Sequence, residues 1–508
     1  MAPVGAVTVH RMAIQTRLRS TRAGRALVLG VAVLGTGLAL ALSPLSWLAL
    51  ALGGLVLAVL IVVRPYRALY LIALAIPFGS LFEIGIGPIT VGVTEALLGL
   101  MLVAWLANHI ALREAAIHVP PLAVLVLVFV GVALYSLPNA TSLPLAAKEL
   151  AKWLEVAAVV VFVANAVPSR QTRPIVCSLL AAGLLQALLG AYQFLTQSGP
   201  EGFVLHGRFM RAYGTFEQPN PYAGYLGLVA PLALAIALGL LAPRGGASSS
   251  QTGEPRIRSR WLEWFSLGTL ALVSIAIGMS WSRGAWLGFT AAVVVVSTAQ
   301  SRRARLIFGA LVAIILLAGL MAGTAALPAP VVERLTSFLP FIGAPDIAAI
   351  EITDQNYAAL ERLAHWQSAL DMWQDHPWLG VGFGNYAAAY AQYALPKWPM
   401  ALGHAHNYYL NVAAETGLLG LVAYLSFWGL VFWHVWRILR TAVDQGTRAL
   451  ALGALGMLVH VSVHNVVDNL WVHNMYIHIA IVLGLLQVAG DHPPSSSLNT
   501  NVGVSALD

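Results

Sequence analysis

The sequence predicts an all-α fold, a polytopic integral membrane helix bundle, and three observations predict it. Of its 508 residues 59% are hydrophobic and only 10% charged, where a soluble domain carries roughly a quarter charged residues. With a mean hydropathy of +0.78, the chain cannot build a water-soluble surface. Apolar runs near the ~20 residues that cross a bilayer recur, among them Leu45 to Val63, Ile89 to Ala107, Ile175 to Phe194, Tyr222 to Leu241 and Leu306 to Ala322. These runs are continuously apolar, whereas barrel strands alternate in polarity, and only a helix satisfies its own backbone away from water.

The pattern fits about 12 to 14 transmembrane helices. Candidate starts lie near Ala26, Leu45, Ala68, Ile89, Leu122, Leu150, Ile175, Tyr222, Trp261, Ala285, Leu306, Tyr408, Ala449 and Met475. With the N-terminus in the cytosol, alternate loops collect 20 of the 28 basic residues, from Arg11 to Arg25 at the start to Arg437, Arg440 and Arg448 near the end. That bias sets both ends inside. It also accounts for the net charge of +7 without nucleic acid, because arginines in short loops sit beside anionic headgroups.

The order along the chain follows. Residues 1–25 form a basic cytoplasmic segment, and the apolar run from Ala26 reads as a membrane helix because no small-residue cleavage site precedes the next span. Residues 26–322 make the first part of the bundle, 323–405 one long external loop, 406–490 the last part, and 491–508 a polar, disordered cytoplasmic tail. Gly245 to Arg260 is a Ser/Gly/Arg-rich linker, and the lone Cys177 has no intrachain disulfide partner. A loop as long as 323–405 is usually functional. It carries Pro328, Pro330 and Pro340, then helical periodicity from Tyr357 to Asp375 with Leu363, Trp366, Leu370 and Trp373 on one face. His376-Pro377 stops that helix, and Gly380, Gly382 and Gly384 follow as a turn-rich stretch that no strand precedes, so it is no nucleotide fingerprint.

With most basic residues inside, the external ones stand out: Lys148, Lys152, Arg208, Arg211, Arg283, Arg334, Arg362 and Lys397. External arginines at helix ends suit anion binding. The plainer role for Arg211 and Arg283 is headgroup snorkelling, or an ion pair with Glu217 or Glu201. The densest polar run is Gly403-His404-Ala405-His406-Asn407-Tyr408-Tyr409-Leu410-Asn411, where the long loop enters the membrane. Histidine there suits a general base acting on a hydroxyl. Metal ligation by His404 and His406 is the weaker reading, since they lie two apart with no carboxylate cluster beside them in sequence. His460, His464 and Asp468 fall on one face of a predicted span, either as polar helix contacts or as a pathway.

His406-Asn407, nine residues, then Gly417-x-x-Gly420 resembles the signature of the O-antigen ligase and O-antigen polymerase superfamily of bacterial membrane glycosyltransferases. Arg362, Trp366 and the run Asp375-His376-Pro377-Trp378-Leu379-Gly380-Val381-Gly382-x-Gly384-Asn385-Tyr386 resemble the segment before that motif, as do Arg211 to Asn220 and the Ser282-Arg283 turn. The likeness spans roughly Ile175 to Gly420. Leu421 stands where ligases usually carry Thr or Val.

The resemblance implies an enzyme of the bacterial inner membrane with its site facing the periplasm. It would move a glycan from an undecaprenyl-pyrophosphate donor to a hydroxyl-bearing acceptor, with inversion and without metal or other cofactor. Arg211 and Arg283 would hold the pyrophosphate and His406 would act as base. Asn407, His404, Arg362, Glu217 and Asn220 would bind substrate. The sequence has no Asp-x-Asp, the usual carboxylate pair of a metal-dependent transferase. The alternatives are an exopolysaccharide polymerase of the same superfamily and a membrane transporter of a bicarbonate-like solute.

Overall fold

The computed structural model describes residues 45–81, 83–86, 89–113, 116–205, 207–241, 260–322, 329–336, 347, 349–353 and 356–490. The expected span at Ala26, Pro328, Pro340, most of the Gly245 to Arg260 linker and the tail 491–508 lie outside the described residues. Helix α1 (Leu45–Val63) belongs to a unit ending at Arg64, and everything from Pro65 forms a second unit.

The second unit is helical apart from two small hairpins, β1 (Glu83–Ile86) with β2 (Ile89–Gly92) and β3 (Val204–Leu205) with β4 (Phe209–Met210). Its helices are α2 (Ala68–Ala75), α3 (Val93–Ala111), α4 (Pro121–Leu134), α5 (Leu143–Ala166), α6 (Thr172–Thr196), α7 (Pro219–Ala237), α8 (Trp261–Met279), α9 (Arg283–Gln300) and α10 (Arg302–Ala322). There follow α11 (Ala329–Thr336), α12 (Tyr357–Asp375), α13 (Tyr386–Tyr393), α14 (Tyr408–Thr441), α15 (Gln445–His464) and α16 (Met475–Gly490). Among the described residues, six helices are long and apolar enough to cross a membrane, and three shorter apolar ones accompany them. The chain is therefore an all-α polytopic membrane protein.

Its centre is α7, packed between α9 and α15 and buried along almost its whole length from Tyr222 to Ala235. Small residues allow that approach, as membrane helices associate by close packing rather than by hydrophobic exclusion. A Cβ on Gly453 of α15 would meet Leu232 at 2.8 Å, and one on Gly456 would meet Val296 of α9 at 2.5 Å.

Two expected spans differ. From Ala68 the α-helix lasts only to Ala75 before tightening into a 3₁₀ stretch over Ile76–Leu81. Pro77 cannot donate to the ladder, and its carbonyl is taken by the side chains of Gln186 and Thr215. At Ile89 the β-branched Ile89, Thr90 and Val91 form β2, and the helix begins at Val93.

In the long loop the expected helix is α12. Its buried side is Leu360, Ala364, His365, Ser368, Ala369 and Met372, whereas the apolar face of Leu363, Trp366, Leu370 and Trp373 is half-buried. The smaller residues face inward because α12 packs on α13 and α14 within the protein.

The glycine-rich stretch after α12 docks into a break in α14. Gly417 has φ 64° and ψ −163°, a combination essentially reserved for glycine. Around it Leu418 N donates to Pro377 O at 2.8 Å, Val381 N to Ala414 O at 2.9 Å and Gly382 N to Glu415 O at 3.0 Å. The Glu415 carboxylate accepts from Tyr386 N and Gly384 N, both at 3.0 Å. A Cβ on Gly417 would lie 2.2 Å from the Trp378 carbonyl carbon. Gly417→Ala is expected to cost ~1–3 kcal/mol in backbone strain alone and to undock the stretch. The measurement is thermal unfolding in detergent micelles, where an unchanged melting temperature contradicts the expectation.

Candidate functional site

The arginine side of the site is organised by the turn between α8 and α9. Ala212 N donates to Met279 O at 3.0 Å, laying the Arg211 segment along the end of α8. Arg211 Nε then donates to Ser280 O at 2.9 Å and its Nη2 to Asn220 Oδ1 at 3.0 Å. Trp281 has φ 53°, rare for a bulky side chain, and its carbonyl accepts from Arg334 Nε of α11 at 3.2 Å. Arg283 opens α9 directly after this turn. Arg362 of α12 donates from Nε to Val467 O at 3.1 Å, and its Nη2 lies 3.9 Å from Asp468 Oδ2.

These four guanidiniums are close enough to repel one another. Burial, then the charges of Arg334, Arg362 and Arg283, bring the Arg211 pKa down to about 9, opposed by Asp468. Burial and Arg362 bring Arg334 to about 10. Concentrated like charge in a half-buried site is costly unless an anion neutralises it.

The histidine side is built by the entry of α14. Asn407 caps the helix, its side chain accepting from Tyr409 N and Leu410 N, and Asn411 reaches back to Ala405 N at 3.0 Å. Pinned between them, His406 takes φ 51°, and its carbonyl accepts from Trp366 Nε1 at 3.2 Å. Its Nδ1 lies 3.6 Å from Asp468 Oδ1. His404 Nδ1 accepts from His406 N at 3.1 Å, with the two rings 4.5 Å apart. On the other side stands the buried His365 of α12, hydrogen-bonded to Tyr386 Oη at 2.9 Å, its ring 5.5 Å from that of His406.

Burial, reinforced by His406, lowers the pKa of His404 to about 3 and that of His365 to about 4. Burial works to raise the Asp468 carboxyl, but His406, Arg362 and His404 outweigh it and hold it below the usual carboxylate range. At neutral pH the site thus holds an ionised carboxylate beside His406 and two neutral imidazoles.

Of the residues singled out in the sequence, Arg211, Arg362, His404 and His406 gather around Asp468, Arg283 lies near enough to Arg211 and Arg362 to repel them, and Asn220 supports Arg211. Asn407 serves the α14 cap rather than the open site. Glu217 is exposed and faces His473. Arg334 and Asp468 are the residues that sequence reasoning left out of the site. Asp468 had been grouped with His460 and His464, but α15 ends at His464 and the connection to α16 carries Asp468 into the arginine cluster. An acidic residue just past a span end, on the side of the external arginines, was the signal.

His404, His406 and Asp468 also bring three ligand atoms within 4.8 Å of one another. The carboxylate missing near the histidines in sequence is thus supplied from another segment. Arg362 beside Asp468 and the other guanidiniums raise the electrostatic cost of placing a divalent cation there.

His460 and His464 remain inside the bundle. Each imidazole sits between two glycines of facing helices: Cβ atoms on Gly227 and Gly288 would collide with His460 at 1.9 and 2.8 Å, and one on Gly284 would meet His464 at 2.7 Å. The glycines make room for these rings.

Fold and site together define a polytopic all-α membrane protein with a cationic, histidine-bearing cluster at one end of the bundle. Residues 268–425 match a family described as O-antigen ligase, so the resemblance read from the motifs holds over the stretch that carries Arg283, Arg334, Arg362 and His406. A curated O-antigen ligase of Pseudomonas aeruginosa is 28% identical over 176 residues, 35% of each chain. The chain thus matches about a third of that relative's length. A solved chain from a peptidoglycan synthase complex is 17% identical with a TM-score of 0.40, covering 72% of this chain and 96% of that one, a likeness too slight to bear on the site.

Proposed function

We propose that the protein transfers a glycan from an undecaprenyl-pyrophosphate carrier to a hydroxyl-bearing acceptor at the outward face of the bacterial inner membrane, inverting the anomeric centre and using no metal. The family resemblance supports a membrane glycosyltransferase. The observation that carries the finer reading is the gathering of the Arg211, Arg283, Arg334 and Arg362 guanidiniums near Asp468 and His406. Such a concentration of guanidiniums suits a doubly charged diphosphate diester.

The chemistry follows from the residues. As the bond from the sugar to the pyrophosphate oxygen breaks, negative charge grows on that oxygen, and fixed guanidiniums stabilise it without reorganising. Arg211, locked by Ser280 O and Asn220, is such a group. The acceptor hydroxyl approaches the anomeric carbon from the opposite face and loses its proton to His406. Asp468 orients the imidazole and stabilises the imidazolium.

The test is transfer by purified full-length protein from lipid-linked glycan to candidate hydroxyl acceptors, with and without EDTA. Transfer that survives EDTA is expected. Loss on chelation, restored by a divalent metal, would overturn the metal-free mechanism and point to His404, His406 and Asp468 as ligands. No transfer to any acceptor, with vectorial uptake of an anion in liposomes, would replace the enzyme reading with transport. If the glycan's own end is the preferred acceptor, the protein is a polymerase of the same chemistry.

A further inference from the structure

We propose that Arg334 is the residue that makes this site selective for a diphosphate over a monophosphate. The proposal rests on the glycosyl-transfer reading and gives a specific role to one of its four guanidiniums.

The argument starts from the α8–α9 turn. Two consecutive carbonyls, those of Ser280 and Trp281, accept from the Nε atoms of two different arginines, Arg211 at 2.9 Å and Arg334 at 3.2 Å. Adjacent carbonyls of an extended or helical backbone do not ordinarily serve two converging side chains. The left-handed Trp281 at φ 53° reorients the second peptide. Holding each guanidinium through Nε leaves its terminal nitrogens for an external partner. Arg211 spends one of them on Asn220, and those of Arg334 take no partner among the described residues.

Anchored on adjacent peptide units, whose Cα atoms lie about 3.8 Å apart, the two guanidinium forks are held side by side on one turn, an arrangement suited to two linked phosphates. A single phosphate needs one of them and a diphosphate engages both, because guanidinium recognises phosphate oxygens through a planar fork. The repulsion from Arg334 that Arg211 and Arg283 both feel says the same. The cluster is costly when empty of anion and is relieved most by the ligand that spans it.

The test measures binding of undecaprenyl pyrophosphate and undecaprenyl phosphate to the full-length protein in nanodiscs. The wild type should prefer the diphosphate. Arg334→Ala should lose about 10- to 100-fold of its diphosphate affinity while its monophosphate affinity changes little. Arg334→Lys, which keeps the charge without the fork, should fall between the two and also serves if the alanine variant does not fold. Lys397→Ala, at an exposed lysine bonded to Ile350 O, should match the wild type. A wild type that binds neither lipid refutes the glycosyl-transfer reading itself. A wild type that prefers the diphosphate, with Arg334 variants indistinguishable from it or weakened equally toward both lipids, overturns this proposal alone.

Discussion

Arg211→Ala is expected to lower the rate of glycan transfer by about two to three orders of magnitude, the loss seen when one fixed donor to a developing anion is removed. Membrane insertion and thermal stability should hold, because among the described residues the Arg211 side chain hydrogen-bonds to Ser280 O and Asn220, and its loss leaves a half-buried rather than sealed space. Arg283→Ala should give a loss of the same order, since Arg283 opens α9 at the same turn. Arg211→Lys should recover little: an ammonium cannot hold Ser280 O and Asn220 and still present a planar pair of donors. Single-turnover transfer rates for the three variants check this. Near-wild-type rates in both alanine variants would remove the pyrophosphate assignment.

The fold class was legible because a bilayer leaves the backbone few choices, so long apolar runs and arginine placement sufficed. What failed was local. The span expected from Ala68 is broken by Pro77, and the inward side of α12 is formed by small and polar residues, His365 and Ser368 meeting Tyr386 and Tyr393 of α13. An apolar stripe of large residues marks one face of a helix, and it does not announce that the small residues opposite will pack on α13 and α14.

The site was partly legible for a related reason. Arg211, Arg283 and His406 each sit in turn-rich segments whose residue types announce chemistry. Asp468 does not: it is four residues beyond His464, and a helical reading places it with the buried histidines. Only the end of α15 at His464, and the turn that follows, send it to Arg362 and His406. Arg334 was visible as an external arginine, but its partner is a backbone carbonyl, which a sequence cannot announce.

The carboxylate decides a second test, because its charge and its contact with His406 predict opposite effects on binding and on rate. His406→Ala removes the proposed base and should cut the turnover rate by about two to three orders of magnitude. Asp468→Asn keeps the shape, removes the negative charge and leaves Arg362 and the other guanidiniums less neutralised. Turnover should fall by about 10- to 100-fold, as when the orienting carboxylate of a catalytic histidine is lost, while the KM for the lipid-linked donor stays level or drops in the more cationic site. A raised donor KM with unchanged turnover would contradict that role. The two residues act as one unit, so the double variant should be scarcely slower than His406→Ala alone. The rate–pH profile adds a check. Asp468 is held ionised well into acid, and His404 and His365 stay neutral down to about pH 3 and 4. An acid limb above pH 5 therefore belongs to none of these three.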